Sequence, residues 1–112
     1  MPSSDAPATK PAYLYLTTTG WKSGRPHEIE IWFTSLEGQY YVIAEHGRRA
    51  HWVQNLRRNP RVTFRVDDRV HQGRARIVEE AGDPALVRRV RDLSEAKYGW
   101  GDGLIVELAP DE

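Results

Sequence analysis

The sequence has no cysteine, no excess of charge of either sign and no long apolar run, and each absence excludes a class of protein. A chain without cysteine forms no disulfide, no thiolate metal site and no cysteine nucleophile. Its 16 basic and 16 acidic side chains cancel, which argues against general binding to nucleic acids or anionic membranes. No apolar stretch approaches the ~20 residues that a membrane-spanning helix requires.

The beginning of the chain, MPSSDAPATKP, has one lysine and no apolar segment, so it does not resemble a secretory signal. We expect residues 1–11 to form a flexible tail and the protein to be cytoplasmic. The 112 residues of the chain leave room for one hydrophobic core. We therefore expect a single domain over residues 12–109.

The apolar residues recur with the periods of short strands and of two helices. Ile29, Ile31 and Phe33 alternate with polar residues, so their face of a strand is expected to be buried. Asp83 followed by Pro84 is typical of the start of a helix. The patterns predict strands at residues 12–19, 27–34, 39–44, 61–66, 70–78 and 104–108, and helices at residues 50–59 and 84–98.

The predicted order, β-β-β-α-β-β-α-β, indicates a mainly β (α+β) fold, a split β-barrel of six antiparallel strands with two short helices. Consecutive hairpins favour antiparallel pairing, because a doubly wound parallel sheet needs strict alternation of strands and helices. Closure of such a sheet removes exposed strand edges. No internal repeat or second domain is evident.

The loop at residues 20–26 is the first candidate for a binding site. Two glycines allow the backbone to approach a ligand closely, and Lys22, Ser23 and Arg25 supply donors for an anion such as phosphate. The spacing does not match a P-loop. The same composition is also ordinary for a hairpin loop, so both interpretations stay open on the residues alone.

The segment from Ala44 to Gly47 is the second candidate, because it leads from a buried strand into a helix. Free backbone amides at such a position can bind a ligand. The alternative is that Gly47 only supplies an unusual backbone dihedral angle. Aromatic rings on the predicted helices, Trp52 and Tyr98, could flank a planar ligand or pack in the core.

Other site chemistries find little support in the residue spacing. His46 and His51 have no third ligand at a recognisable spacing, and no H-E-x-x-H pattern occurs, so we predict no metal site. No G-x-S-x-G elbow marks a nucleophilic serine. Glu28 and Glu30 share a strand face, but exposed carboxylates of this kind are usually solvated.

Three motifs follow one another between residues 16 and 62, within a resemblance that extends from about residue 13 to residue 108. Residues 16–26 read LTTTGWKSGRP, residues 41–47 read YVIAEHG, and residues 52–62 read WVQNLRRNPRV. They resemble the L-T-T-x-G-R-K-S-G loop, the V-V-A-S-x-G-G segment and the W-x-x-N-L-x-x-N-P-x-V pattern of the deazaflavin-dependent nitroreductase and quinone reductase family. This family belongs to the split β-barrel flavin and deazaflavin oxidoreductases.

The resemblance implies an enzyme that binds coenzyme F420, a deazaflavin with a phosphate and an oligoglutamate tail. Its reduced ring would pass a hydride to a small electron-poor acceptor, namely a quinone, an enone or a nitro compound. The implied cofactor-binding residues are Lys22, Ser23, Gly24, Arg25, His27, Ile43, Ala44, Glu45, His46, Gly47, Trp52 and Asn55.

The resemblance also distributes roles among these residues. The loop residues and His27 would meet the phosphate, and residues 44–47 would lie against the ring through their backbone groups. Trp52 and Asn55 would close the far side of the pocket. Tyr98 is the candidate catalytic residue, as proton donor, because tyrosines of the corresponding helix line the substrate side in the family.

Four positions depart from the family pattern. Trp21 stands where the family usually has arginine, and His27 where it often has a second arginine, so up to two positive charges are missing. Glu30 and Glu45 add carboxylates, which repel a polyanionic tail. FMN, which carries less charge, is therefore an alternative cofactor.

The sequence leaves both a monomer and a homodimer open.

Two further functions stay open. One is a non-catalytic carrier that holds a cofactor or an apolar ligand in the same barrel. The other is a nucleic-acid module, which the zero net charge disfavours. It is suggested by arginines on neighbouring strands: Arg61, Arg65, Arg69, Arg74 and Arg76.

Overall fold

Seven strands and two helices follow one another in a computed structural model, which describes residues 13–111. The predicted tail at residues 1–11 and the predicted strand start at Ala12 lie outside the described residues. The elements are β1 (Tyr13–Thr19), β2 (Pro26–Trp32), β3 (Thr34–Leu36), β4 (Gln39–Ala44), α1 (His51–Arg58), β5 (Arg61–Val66), β6 (Arg69–Val78), α2 (Pro84–Tyr98) and β7 (Leu104–Pro110).

The strands form one antiparallel sheet in the order β2-β1-β5-β6-β7-β4-β3. Strands β2 and β3 lie at opposite edges of this sheet, yet Phe33 alone separates them along the chain. The sheet must therefore curl until its two edges approach each other. This geometry confirms the predicted split β-barrel.

The structure has seven strands where the sequence predicts six, because the predicted strand at residues 27–34 breaks at Phe33. Its N–H donates to the Tyr98 hydroxyl at 3.0 Å, and its carbonyl accepts from that hydroxyl at 2.7 Å. The Lys97 ammonium donates to the same carbonyl at 2.9 Å. Side chains of α2 thus satisfy the peptide groups at the point where the chain passes from one sheet edge to the other.

The core has two parts, one inside the barrel and one under α2. Leu14, Leu16 and Phe64 are completely buried inside the barrel, where the α1 residue Leu56 joins them. Each such side chain stabilises the fold by about 1.5–3 kcal/mol through burial. The second part packs α2 against the sheet and contains Tyr41, Ile43, Val78, Val87, Val90 and Ile105.

Helix α2 begins and ends as its sequence predicts. The Asp83 carboxylate accepts from the Leu86 N–H at 3.3 Å, and Pro84 occupies the first turn. Gly99 ends the helix with a φ of 77°, a left-handed conformation that favours glycine. Neither α2 nor α1 is long and apolar enough to cross a membrane, and no other α-helix occurs in residues 13–111.

Candidate functional site

An open apolar groove with a volume of about 630 Å³ runs beside the ends of β2 and β4. Its aromatic walls are Tyr13, Trp32, Trp52 and Trp100, and its aliphatic lining comes mainly from isoleucines on β2 and β4. This volume falls within the ~300–1,000 Å³ usual for small-molecule sites. The groove can therefore accommodate a planar, largely apolar group.

The titratable groups of the groove lie on β1, on β2 and on the loop after β4. They are Tyr13, Glu30, Glu45 and His46. The Glu30 carboxylate accepts a hydrogen bond from the Tyr15 hydroxyl at 3.1 Å, and this bond raises the pKa of Tyr15. The carboxylates predicted to repel an anion are thus both at the groove rather than in the loop.

A second cavity of about 420 Å³ lies between the loop at residues 20–26 and helix α1. Polar side chains dominate its lining, among them Lys22, Ser23 and His27. Ile29 and Trp52 line both this cavity and the apolar groove. The two cavities therefore adjoin, and together they offer an apolar end and a polar end that contains Lys22 and Glu28.

The loop is closed by its own backbone. The Gly20 N–H donates to the Arg25 carbonyl and the Gly24 N–H to the Gly20 carbonyl, both at 2.8 Å. Ser23 Oγ accepts from the Arg25 N–H at 3.1 Å. A Cβ at Gly20 would lie 2.7 Å from both His27 Nε2 and Ser23 Oγ, so any larger residue would require these two side chains to move.

Asn55 attaches the loop to helix α1. Its Oδ1 accepts from the Trp21 N–H, and its Nδ2 donates to Thr18 Oγ1, each at 3.1 Å. Asn55 is 6% exposed and Thr18 only 1%. Both ends of the buried carboxamide are thus used within the protein, which fixes the height of the loop above the helix.

The segment after β4 forms the floor of the groove. A Cβ at Gly103, which has a φ of 119°, would lie 2.6 Å from the Ala44 carbonyl oxygen. The backbone just before β7 therefore passes very close to the end of β4. Gly47 has a φ of 61° and open space around its missing Cβ. Its role as the source of an unusual dihedral angle therefore has direct support. An ion pair between Arg48 and Glu79 ties the segment to the end of β6.

The structure divides the predicted cofactor residues into three sets. Those that line the groove are Ile43, Ala44, Glu45, His46 and Trp52. Those that line the adjoining pocket are Lys22, Ser23, His27, Trp52 and Asn55. Those that line neither cavity are Gly24, Arg25 and Gly47.

Tyr98 lies behind the groove wall. Its ring stacks on Trp32 with centroids 4.5 Å apart and planes 1° from parallel, and its hydroxyl bonds to the Phe33 backbone. Burial raises the pKa of Tyr98, although the bond to the Phe33 backbone acts in the opposite direction. Its role as proton donor stays a prediction.

Trp100 is a groove residue that the sequence reasoning missed. The Arg91 guanidinium donates to the carbonyls of Gly101, at 2.7 Å, and Gly103, at 3.1 Å. Ser94 Oγ donates to the Trp100 carbonyl at 2.5 Å. These bonds to α2 hold the indole in the groove, and the glycines that flank a tryptophan were the signal in the sequence.

Between residues 13 and 111, no group of three or more histidine, aspartate or glutamate side chains is placed to hold a metal ion.

The family model of F420H(2)-dependent quinone reductases matches residues 6–101. The chain belongs to this family. This match confirms the resemblance of the three motifs. By class, the protein is therefore a deazaflavin-dependent reductase. No curated protein matches the chain in sequence.

Solved structures show the same fold at low sequence identity. An F420-H2 dependent reductase shares 22% identity over 87% of this chain and 93% of its own, with a TM-score of 0.71. The heme storage protein HutZ from Vibrio cholerae shares 20% over 93% and 84%, with a TM-score of 0.74. A conserved hypothetical protein from Mycobacterium tuberculosis shares 22% over 89% and 73%, with a TM-score of 0.70.

Proposed function

We propose that the protein binds coenzyme F420 across its two adjoining cavities and transfers a hydride from the reduced cofactor to an electron-poor acceptor. The acceptor class is a quinone, an enone or a nitro compound. The observation that carries this proposal is that the apolar groove and the polar pocket with Lys22 share Ile29 and Trp52. F420 has the same division, since its ring is planar and its other end is anionic.

The groove fits the ring of the cofactor. Flat indole rings and aliphatic side chains line it, and such walls bind planar apolar groups and exclude water. Ala44, Glu45 and His46 line this groove, and Ala44 carries no large side chain that could block the approach of a ring. We assign these residues to the ring.

The pocket fits the phosphate. Lys22 supplies a positive charge, and His27 and Ser23 supply polar groups around it. Glu28 is a carboxylate in the same lining and opposes the charge of Lys22. We assign Asn55 to positioning the loop, because both ends of its carboxamide are already bonded to Thr18 and Trp21.

When bound, the reduced deazaflavin supplies the hydride, and the protein supplies binding, orientation and protection from water. A proton must follow the hydride to the acceptor. If Tyr98 donates it, the proton leaves Oη, which first has to give up its bond to the Phe33 carbonyl. Burial raises the pKa of Tyr98, so its hydroxyl is protonated at neutral pH and is a weaker acid than that of an ordinary tyrosine.

Titration with F420 and, separately, with FMN tests the cofactor assignment. We expect a saturable change in F420 fluorescence with half-saturation at about ten micromolar or below. The variant Lys22→Ala should weaken binding, whereas Arg88→Ala, at an exposed position of α2 outside both cavities, should not. Saturation by FMN and not by F420 would make FMN, and not F420, the cofactor. Binding of F420 without reduction of any acceptor would support the non-catalytic carrier.

A further inference from the structure

Trp21, in the loop at residues 20–26, has two cationic side chains close to its ring. The Lys22 ammonium is 4.9 Å and the Arg58 guanidinium carbon 4.5 Å from the ring centroid. Both distances are within the ~6 Å over which an aromatic face attracts a cation. The indole itself is 42% exposed, so the three side chains form a surface at the edge of the loop.

Helix α1 holds this arrangement in place. Asn55 and Arg58 are three residues apart and therefore lie on the same face of the helix. Asn55 fixes the backbone of Trp21 through its N–H, and Arg58 packs on the ring of the same residue. The position of the guanidinium relative to the loop is thus set by two contacts from one helix face.

The charge of Arg58 is available to a ligand. Among the ion pairs of residues 13–111, none joins Arg58 to a carboxylate. Its side chain is exposed near the C-terminal end of α1. A guanidinium held by an aromatic ring loses less freedom when it binds an anion, because the ring has already restricted it.

We propose that Arg58 binds the anionic tail of the cofactor from helix α1, with the Trp21 indole as its platform. This inference rests on the proposed binding of F420. It also gives a physical reason for tryptophan at position 21. The indole carries no charge, but it holds the guanidinium of Arg58, from helix α1, beside Lys22.

The test compares Arg58→Gln with Arg57→Gln, which removes an exposed arginine of the same helix that packs on no ring in the described structure. Each variant and the wild type are titrated with F420 and with a truncated deazaflavin that keeps the phosphate but lacks the glutamate tail. We expect Arg58→Gln to bind F420 about three- to tenfold more weakly and the truncated deazaflavin as well as the wild type does. Arg57→Gln should bind both ligands as the wild type does.

The dependence of affinity on salt gives a second readout. We expect the affinity of Arg58→Gln for F420 to fall less steeply with ionic strength than that of the wild type, because one charge contact is missing. Equal F420 affinities for the two glutamine variants would overturn the role of Arg58. Equal losses for F420 and the truncated deazaflavin would also overturn it, since the tail would not be the group bound. A wild type that binds no F420 would instead overturn the proposed function.

The platform has its own variant. Trp21→Leu keeps the charge of Arg58 but removes the ring that orients it, so we expect a tail-dependent loss of about two- to threefold. An unchanged affinity of Trp21→Leu for F420 would overturn the role of the indole.

Discussion

Replacing Asn55 by leucine tests whether one buried carboxamide holds the cofactor loop on helix α1. Leucine nearly preserves the volume of the side chain but removes both of its hydrogen bonds. The Trp21 N–H loses its acceptor, and the Thr18 hydroxyl, only 1% exposed, loses its donor. The variant thus isolates the polar contribution of this contact from the effect of a cavity.

The expected loss of stability follows from the two groups left unpaired. Each buried polar group without a partner costs about 1–3 kcal/mol. The Trp21 amide is only partly buried, so the sum falls at about 2–4 kcal/mol. Against a total stability of roughly 5–15 kcal/mol for a small domain, this is a large fraction.

Urea unfolding followed by tryptophan fluorescence measures the loss, with Gln54→Leu as the matched control. Gln54 is on the same helix, and its single bond, to the Arg49 carbonyl at 3.5 Å, is long and exposed. The control should change the stability by no more than about 0.5 kcal/mol. A loss below about 1 kcal/mol for Asn55→Leu would refute the account of the loop.

Three further predictions concern other parts of the structure. Tyr98→Phe should cost about 1–2 kcal/mol in urea unfolding, because the Phe33 peptide loses its hydroxyl partner; a turnover rate equal to that of the wild type would exclude Tyr98 as proton donor. Gly103→Ala should lower the melting temperature sharply, because its Cβ would lie 2.6 Å from the Ala44 carbonyl oxygen. An unchanged melting temperature would contradict this close approach. Burial and the bond to Glu107 raise the pKa of Tyr41. The unfolded chain therefore releases the Tyr41 proton at a lower pH than the folded chain does, and the contribution of this group to folding stability, complete below about pH 10, is lost as the pH rises further. Tyr41→Phe should therefore lose less stability than the wild type between about pH 9 and pH 11, and equal losses would contradict the assignment.

Local patterns were sufficient to predict most of the fold. The alternation of apolar residues set each strand, and Asp83 and Pro84 set the start of α2, because these signals depend on near neighbours in the chain. The break at Phe33 could not be predicted in this way. The alternation of Ile29, Ile31 and Phe33 continues through it without glycine or proline. Its cause is the Tyr98 hydroxyl, 65 residues away.

The candidate site was predictable in composition but not in arrangement. The motifs placed Lys22 and Trp52 near a cofactor, and the structure brings both to adjoining cavities. The contact between Asn55 and the Trp21 backbone spans 34 residues, and a spacing in sequence contains no information on which atoms meet. Trp100 was missed for the same reason, since Arg91 holds its loop from another element.

The most direct test of the proposed function is a single-turnover measurement with the protein in excess. Reduced F420 is mixed with the wild type and a quinone, and the return of the oxidised deazaflavin absorbance is followed over time. We predict a protein-dependent oxidation whose rate saturates with protein concentration. At the same protein concentration, the rate should be lower with Lys22→Ala than with the wild type. Oxidation no faster than in the absence of protein, with quinone, enone and nitro acceptors alike, would contradict the proposed function.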